Sequence, residues 1–213
     1  MKARSIWAIA LVVALNVSNA EAAPTTASSV LDTLAVKGRA PKTGYDRDQF
    51  GQRWADVNRN GCDTRNDILQ RDLKNIIFKS GTRDCVVTSG DLMDPYSGKL
   101  INFVRGNTSS MEIQIDHVVA LSNAWQTGAF KLTLAVRTQL ANDPLNLLAV
   151  EGRLNSQKGD GDAATWLPPQ KSYRCKYVAR QVAVKSKYGL WVTAPEKSAI
   201  ASILAKCPNE PLP

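Results

Sequence analysis

Ile113-Gln114-Ile115-Asp116-His117-Val118-Val119 is the stretch from which the rest of the chain can be read. Met111, Ile113 and Ile115 alternate with Glu112, Gln114 and Asp116, the period-two pattern of a strand with one buried face. The pattern breaks after His117, the single histidine of the 213 residues. Downstream come Asp143-Pro144-Leu145-Asn146-Leu147-Leu148 and then Asn155-Ser156-Gln157-Lys158-Gly159-Asp160. Asn146 to Val150 is short and apolar enough for a second strand. Leu154 to Lys158 suits a short helix closed by Gly159-Asp160-Gly161. The order is strand, long connection, strand, helix.

Working outward, Leu121 to Leu140 is expected to be helical with an interruption near Gly128. On the amino-terminal side, Thr64 to Phe78 carries Ile68, Leu69, Leu73, Ile76 and Ile77 near helical spacing, which predicts one helix with Thr64 and Asp67 as its capping pair. Cys85-Val86-Val87 and Lys99 to Val104 read as strands around turn chemistry at Asp94-Pro95-Tyr96-Ser97-Gly98. Val30 to Val36 reads as a short helix, and Lys37 to Gly44 as a linker. Tyr173 to Tyr188 and Glu196 to Lys206 are further helices. Together these elements give an α+β fold.

The chemistry suggested by the central stretch is phosphodiester hydrolysis, which needs an attacking hydroxide, neutralised charge and help for the leaving oxygen. A neutral imidazole can take a proton from water near pH 7, so His117 is the candidate base. Hard divalent cations prefer oxygen ligands, which Asp116 and Asn155 can supply. Asn155 and Lys158 are three apart and share a helix face, so Lys158 is a candidate contact for a phosphate beside the metal. Asn146, at the start of the second strand, suits bracing of the loop around His117. Neighbouring residues of an ideal strand face opposite sides, so Asp116 and His117 can serve one site only if the strand ends or bends there.

At these residues the chain resembles the HNH nuclease superfamily, whose pattern is an Asp-His pair, a middle Asn, and a helical Asn followed by Lys. Tyr45-Asp46-Arg47-Asp48-Gln49-Phe50, Trp54-Ala55-Asp56, Asp63-Thr64-Arg65-Asn66-Asp67, Asp94-Pro95-Tyr96-Ser97-Gly98 and Trp166-Leu167-Pro168-Pro169 extend the likeness over roughly residues 40–207. They are similar to secreted HNH-type proteins long labelled as a domain of unknown function, related to a domain of modification-dependent restriction enzymes. The resemblance implies a ββα-metal core decorated by helices. It implies His117 as general base, Asp116 and Asn155 as ligands of one Mg²⁺ or Mn²⁺ ion, Asn146 as a structural residue and cleavage to 5′-phosphate ends. The 28 residues between His117 and Asn146 are longer than a minimal hairpin connection.

Lys2 and Arg4, the apolar run Ile6 to Leu15, and small residues at Ser18-Asn19-Ala20 predict a signal peptide within 1–23, cut after Ala20 or, alternatively, at Ala22 or Ala23. A flexible segment over 24–44, a nuclease domain over 45–207 and a tail over 208–213 complete the expected organisation. Nothing else is apolar and long enough to span a bilayer, so a secreted or periplasmic monomer is expected. The four cysteines of an exported chain predict two disulfides, with Cys62–Cys85 and Cys175–Cys207 preferred because each closes a local loop. A four-cysteine zinc site lacks any C-x-x-C pair.

The net charge of +8 fits a polyanionic partner, DNA first and RNA second, without selecting it over lipid or cell-wall polymer. Lys171, Arg174, Lys176, Arg180, Lys185 and Lys187 with Tyr173, Tyr177 and Tyr188 form either a nucleic-acid face or an ordinary solvated helix face. Trp54, Trp125, Trp166 and Trp191 read as core. Asp56 to Asp67 matches a calcium loop at several positions but ends in Asp, and a polar turn before a helix is the preferred reading. The rival to a nuclease is a non-catalytic exported module that binds nucleic acid or another polyanion. No Gly-x-Ser-x-Gly elbow supports a serine hydrolase.

Overall fold

The computed structural model describes residues 26–106 and 111–213. The expected signal peptide, 1–23, lies outside them. The described chain mixes helix and sheet: α1 (Ala27–Thr33), α2 (Thr64–Asp72), β1 (Lys74–Phe78), β2 (Val87–Met93), β3 (Leu100–Val104), β4 (Ile113–His117), α3 (Leu121–Gln126), α4 (Leu134–Asn142), β5 (Leu147–Glu151), α5 (Gly152–Lys158), α6 (Arg174–Lys187) and α7 (Ala194–Leu204). Among the described residues no helix is long and apolar enough to cross a membrane.

The antiparallel pair β4–β5 sits at the centre, with His117 opposite Leu147 and Asp116 opposite Leu148. Leu147 to Val150 are all buried, because this strand is covered on both faces. One face carries Ile113, Ile115, Leu147 and Ala149 into a core shared with Ile68 and Leu69 of α2 and with Leu92 and Phe103 of the antiparallel sheet β1-β2-β3. The other carries Leu148 and Val150 against Tyr96, Leu31 of α1, Val178 and Val182 of α6, and Ile200 of α7. A third cluster joins Phe50, Trp125, Leu140 and Val184. The long connection between β4 and β5 thus folds into α3, a 3-10 turn at Ala129–Lys131 and α4, interrupted at Gly128 as its sequence predicts.

The expected helix over Thr64 to Phe78 is overturned in its second half. α2 stops at Asp72, Leu73 is extended, and Lys74 to Phe78 pairs with β2. Ile76, Ile77 and Phe78 have strand propensity, and sheet pairing overrides an apolar spacing that fits either period. The cap also differs: the Asp63 side chain accepts from Asn66 N at 2.9 Å, while the Thr64 hydroxyl donates to the Ala55 carbonyl. α1 begins three residues earlier than expected because Thr26 caps it. β2 starts only at Val87, since Cys85 lies in a turn.

Both preferred disulfides are present, Cys62–Cys85 and Cys175–Cys207. The Asp56–Asp67 loop is a polar turn: Asp56 accepts from the Asn60 and Gly61 amides, Asn60 Oδ1 accepts from Cys62 N, and Asn60 Nδ2 donates to Asp67.

Candidate active site

A cavity of about 280 Å³ opens beside β4, lined by Tyr45, Arg47, Ile115, Asp116, His117, Ser122, Asn155, Gly159 and Asp160 among others. Local constraints place α5 beside β4 at this cavity. Gly152 starts α5 directly after β5, where a Cβ would overlap the Met111 carbonyl. Gly159 ends the helix with φ of 53°, a conformation that suits glycine. Leu154 anchors α5 in the core and turns Asn155 and Lys158 toward β4.

β4 ends at His117, and the two neighbours diverge as strand alternation requires while still bordering one cavity. His117 shares the Ile113 and Ile115 side of the strand. Its ring lies 6.2 Å from that of Trp54, nearly parallel to it, and Nε2 is 2.9 Å from the Ala141 carbonyl. That oxygen can only accept, so Nε2 carries the proton. In a neutral ring Nδ1 then holds the lone pair, and it has no protein partner among the described residues. Burial draws the imidazole down to about 4, opposed by the Ala141 contact and the Asp116 charge and assisted by the Arg47 and Lys158 charges. The ring stays partly open to the cavity, and the imidazole is neutral at pH 7. Ala141 lies in the last turn of α4, where carbonyls lack intrahelical donors.

Asp116 points to the opposite side, and each of its oxygens accepts one hydrogen bond from the protein. Its Oδ1 accepts from Lys158 Nζ at 2.8 Å, and its Oδ2 accepts from the Tyr96 hydroxyl. Lys158 also donates to the His117 carbonyl at 2.8 Å. Burial first, and then the Asp116 charge, push the Tyr96 hydroxyl well above its ordinary value, so it remains a donor. The sequence expectation that Lys158 contacts a phosphate is therefore corrected. Its side chain is 0% exposed, it does not line the cavity, and its charge is used against Asp116.

Asn146 is fully buried, and its Oδ1 accepts from Val119 N at 2.8 Å while Nδ2 donates to the Val119 carbonyl at 3.2 Å. Val118 N donates to the Asn146 carbonyl, so one residue fastens the chain immediately after His117. Asn155 Nδ2 donates to Gln114 Oε1 at 2.8 Å, which leaves Asn155 Oδ1 as its free atom. Together with the lone pairs that the Asp116 oxygens retain, this donor set is all oxygen and suits a hard divalent cation. Among the described residues the one cluster of three acidic, histidine or cysteine ligands is Cys175, Cys207 and Glu210, whose cysteines are already joined as a disulfide.

Four participants lie outside the motif: Tyr96, Gln114, Trp54 and Arg47. Gln114 was legible as the residue sharing the Asp116 face two positions earlier. Tyr96 stood in a segment read as turn and Trp54 in a set read as core, and the resemblance that includes both gave neither a role. The backbone of Trp54 is left-handed, with φ of 57°, an uncommon state for a residue with a Cβ. Of the α6 set that the sequence left open between a nucleic-acid face and a solvated helix face, three residues are taken up by the protein itself. Tyr177 and Lys185 are buried, Lys185 pairs with Glu196 at 2.7 Å, and Lys187 pairs with Asp143 at 2.6 Å.

Residues 63–203 match the family of C-terminal domains of GmrSD restriction endonucleases. The chain is also 40% identical over 184 residues to a protein of Arthroderma benhamiae described as an uncharacterized secreted protein, with 85% of each chain covered. No solved structure matches.

Proposed function

The chain belongs to the family of GmrSD restriction-endonuclease C-terminal domains, and we propose that it is a secreted, metal-dependent endonuclease that hydrolyses DNA with little sequence preference, RNA being a second substrate. The observation that carries this reading is the state of His117: a neutral ring whose Nε2 is tied to Ala141 and whose Nδ1 is left as an acceptor at a cavity. Secretion is supported by the secreted relative and by two disulfides. We extend the proposal to the organisation expected from the sequence, a signal peptide over 1–23 and a nuclease domain with a ββα core over 45–207.

In this mechanism His117 Nδ1 takes a proton from water as the oxygen attacks phosphorus. The bond from phosphorus to the 3′ oxygen breaks, the departing 3′ oxygen takes a proton from solvent, and the downstream fragment keeps the phosphate on its 5′ end. The Ala141 carbonyl at the end of α4 and the Asp116 charge stabilise the imidazolium formed. Lys158 and Tyr96 hold Asp116, and Asn146 holds the chain after His117, so these three are positioning residues. Asn155 Oδ1 and Asp116 would hold one Mg²⁺ or Mn²⁺ ion, which when bound supplies charge neutralisation to the phosphate and the leaving oxygen.

The test is plasmid nicking by the oxidised protein with Mg²⁺, Mn²⁺ or EDTA, beside His117→Ala. Metal-dependent nicking that the variant loses supports the reading. Folded protein that never nicks, yet binds nucleic acid equally well with and without His117, replaces it with the polyanion-binding module that a charge of +8 favours.

A further inference from the structure

With Lys158 buried on Asp116, the cavity needs another cation if it is to hold a phosphodiester. Arg47 is the single cationic side chain among its described lining residues. Lys42, nearby, is already paired with Asp160 at 3.1 Å. Among the described residues no carboxylate lies within ion-pair distance of Arg47, and its guanidinium makes one long bond, 3.5 Å from Nη1 to the Gly51 carbonyl. Most of its five N–H donors are therefore unspent. The residue is half-buried, and its mounting is rigid. It opens a 3-10 turn, Arg47–Phe50, capped by Asp46. Phe50 is fully buried against Trp125, and Arg137 Nε donates to the Gln49 carbonyl at 2.6 Å. Burial and the neighbouring Arg53 both work against the charge of Arg47, and an anion in the cavity would relieve both.

We propose that Arg47 is the phosphate-binding residue of this site, its guanidinium holding the non-bridging oxygens of a nucleic-acid phosphodiester beside His117. The planar fork of arginine matches two phosphate oxygens, whereas a lysine offers only a point charge. The match to the family model begins at residue 63, and the resemblance read from Tyr45 to Phe50 gives Arg47 no role. The inference rests on the nuclease reading for the rate effect, but phosphate contact can be measured without catalysis.

The experiment has two arms, each run on the oxidised protein and on Arg47→Ala and Arg47→Lys variants whose thermal midpoints are first matched to the parent. In EDTA, binding of a short labelled DNA duplex is titrated against salt. Arg47→Ala is expected to weaken binding and to flatten the plot of log affinity against log salt by about one phosphate contact. With metal, Arg47→Ala is expected to lose about 10²-fold in kcat/KM, and Arg47→Lys to recover binding more than rate. An unchanged salt slope overturns the proposal whether or not the protein nicks DNA. A flattened slope in a protein that never nicks upholds the phosphate contact and discards the nuclease reading. Absence of both binding and nicking by the parent overturns both.

Discussion

Lys158 Nζ lies 2.8 Å from Asp116 Oδ1 and 2.8 Å from the His117 carbonyl, so a helix lysine ties together the two adjacent residues at the end of β4. The side chains of Lys158 and Asp116 are 0% and 4% exposed. Their pairing makes Lys158 part of the frame that fixes the site rather than a group that meets substrate.

Breaking that pair from one side should be severe. Lys158→Met leaves a buried carboxylate without its cation and is expected to lower unfolding free energy by about 3–5 kcal/mol. Asp116→Asn with Lys158→Met should cost less than the two single changes added, by at least about 1 kcal/mol. Urea midpoints of the four proteins measure this. Additive effects would mean that the pair is not coupled.

The acid limb of activity should sit unusually low. His117 is held below its ordinary value, down to about 4, chiefly by burial. It therefore stays an available base well below pH 6.5, and kcat/KM should hold from neutrality until the pH approaches 4. Stability follows the same linkage. Because the folded value is depressed, the unfolded chain binds more protons between about 4 and 6.5, and stability falls as pH falls through that window, by at most about 3 kcal/mol. A rate profile with its acid limb at 6.5 would reject the environment described for this ring.

Metal dependence should be traceable to Asn155 and to the amide that aims it. Asn155→Ala is expected to raise the Mg²⁺ concentration for half-maximal nicking by at least about tenfold. Gln114→Leu, which frees Asn155 Nδ2, should act in the same direction by removing an outer hydrogen bond. Coinciding metal titrations for all three proteins would exclude Asn155 as a ligand.

Loss of either disulfide should destabilise the fold. The bridges join residues 23 and 32 apart in sequence. Each is expected to contribute about 3 kcal/mol by restricting the unfolded chain. Thermal melts of Cys62→Ala/Cys85→Ala and Cys175→Ala/Cys207→Ala variants, compared with the oxidised protein, provide the check.

Local physics explains what was legible in the linear chain. The alternation from Ile113 to Asp116, the apolar run after Asn146 and the glycines after Lys158 fix β4, β5 and the end of α5, because side-chain period and turn chemistry act over a few residues. The cysteine pairing was also readable, since each bridge closes a local loop. The carboxy-terminal half of the segment from Thr64 to Phe78 was not. Isoleucines at positions 76 and 77 satisfy either period, and only the partner strand β2 selects one.

By itself, the sequence determined the mixed α+β class, the preferred pairing of the two disulfides, and the singling out of Asp116, His117 and Asn155, which line one cavity. Tertiary structure alone decided what each of those side chains can do. Ala141 fixes which nitrogen of His117 is protonated, Tyr96 and Lys158 hold the Asp116 carboxylate in place, and Gln114 turns the Asn155 amide. Arg47 reaches the cavity from 70 positions before His117. Hydrogen bonds and Coulomb forces between such distant residues depend on separations of a few ångströms, and these exist only after the apolar clusters on the two faces of β4–β5 have brought the elements together.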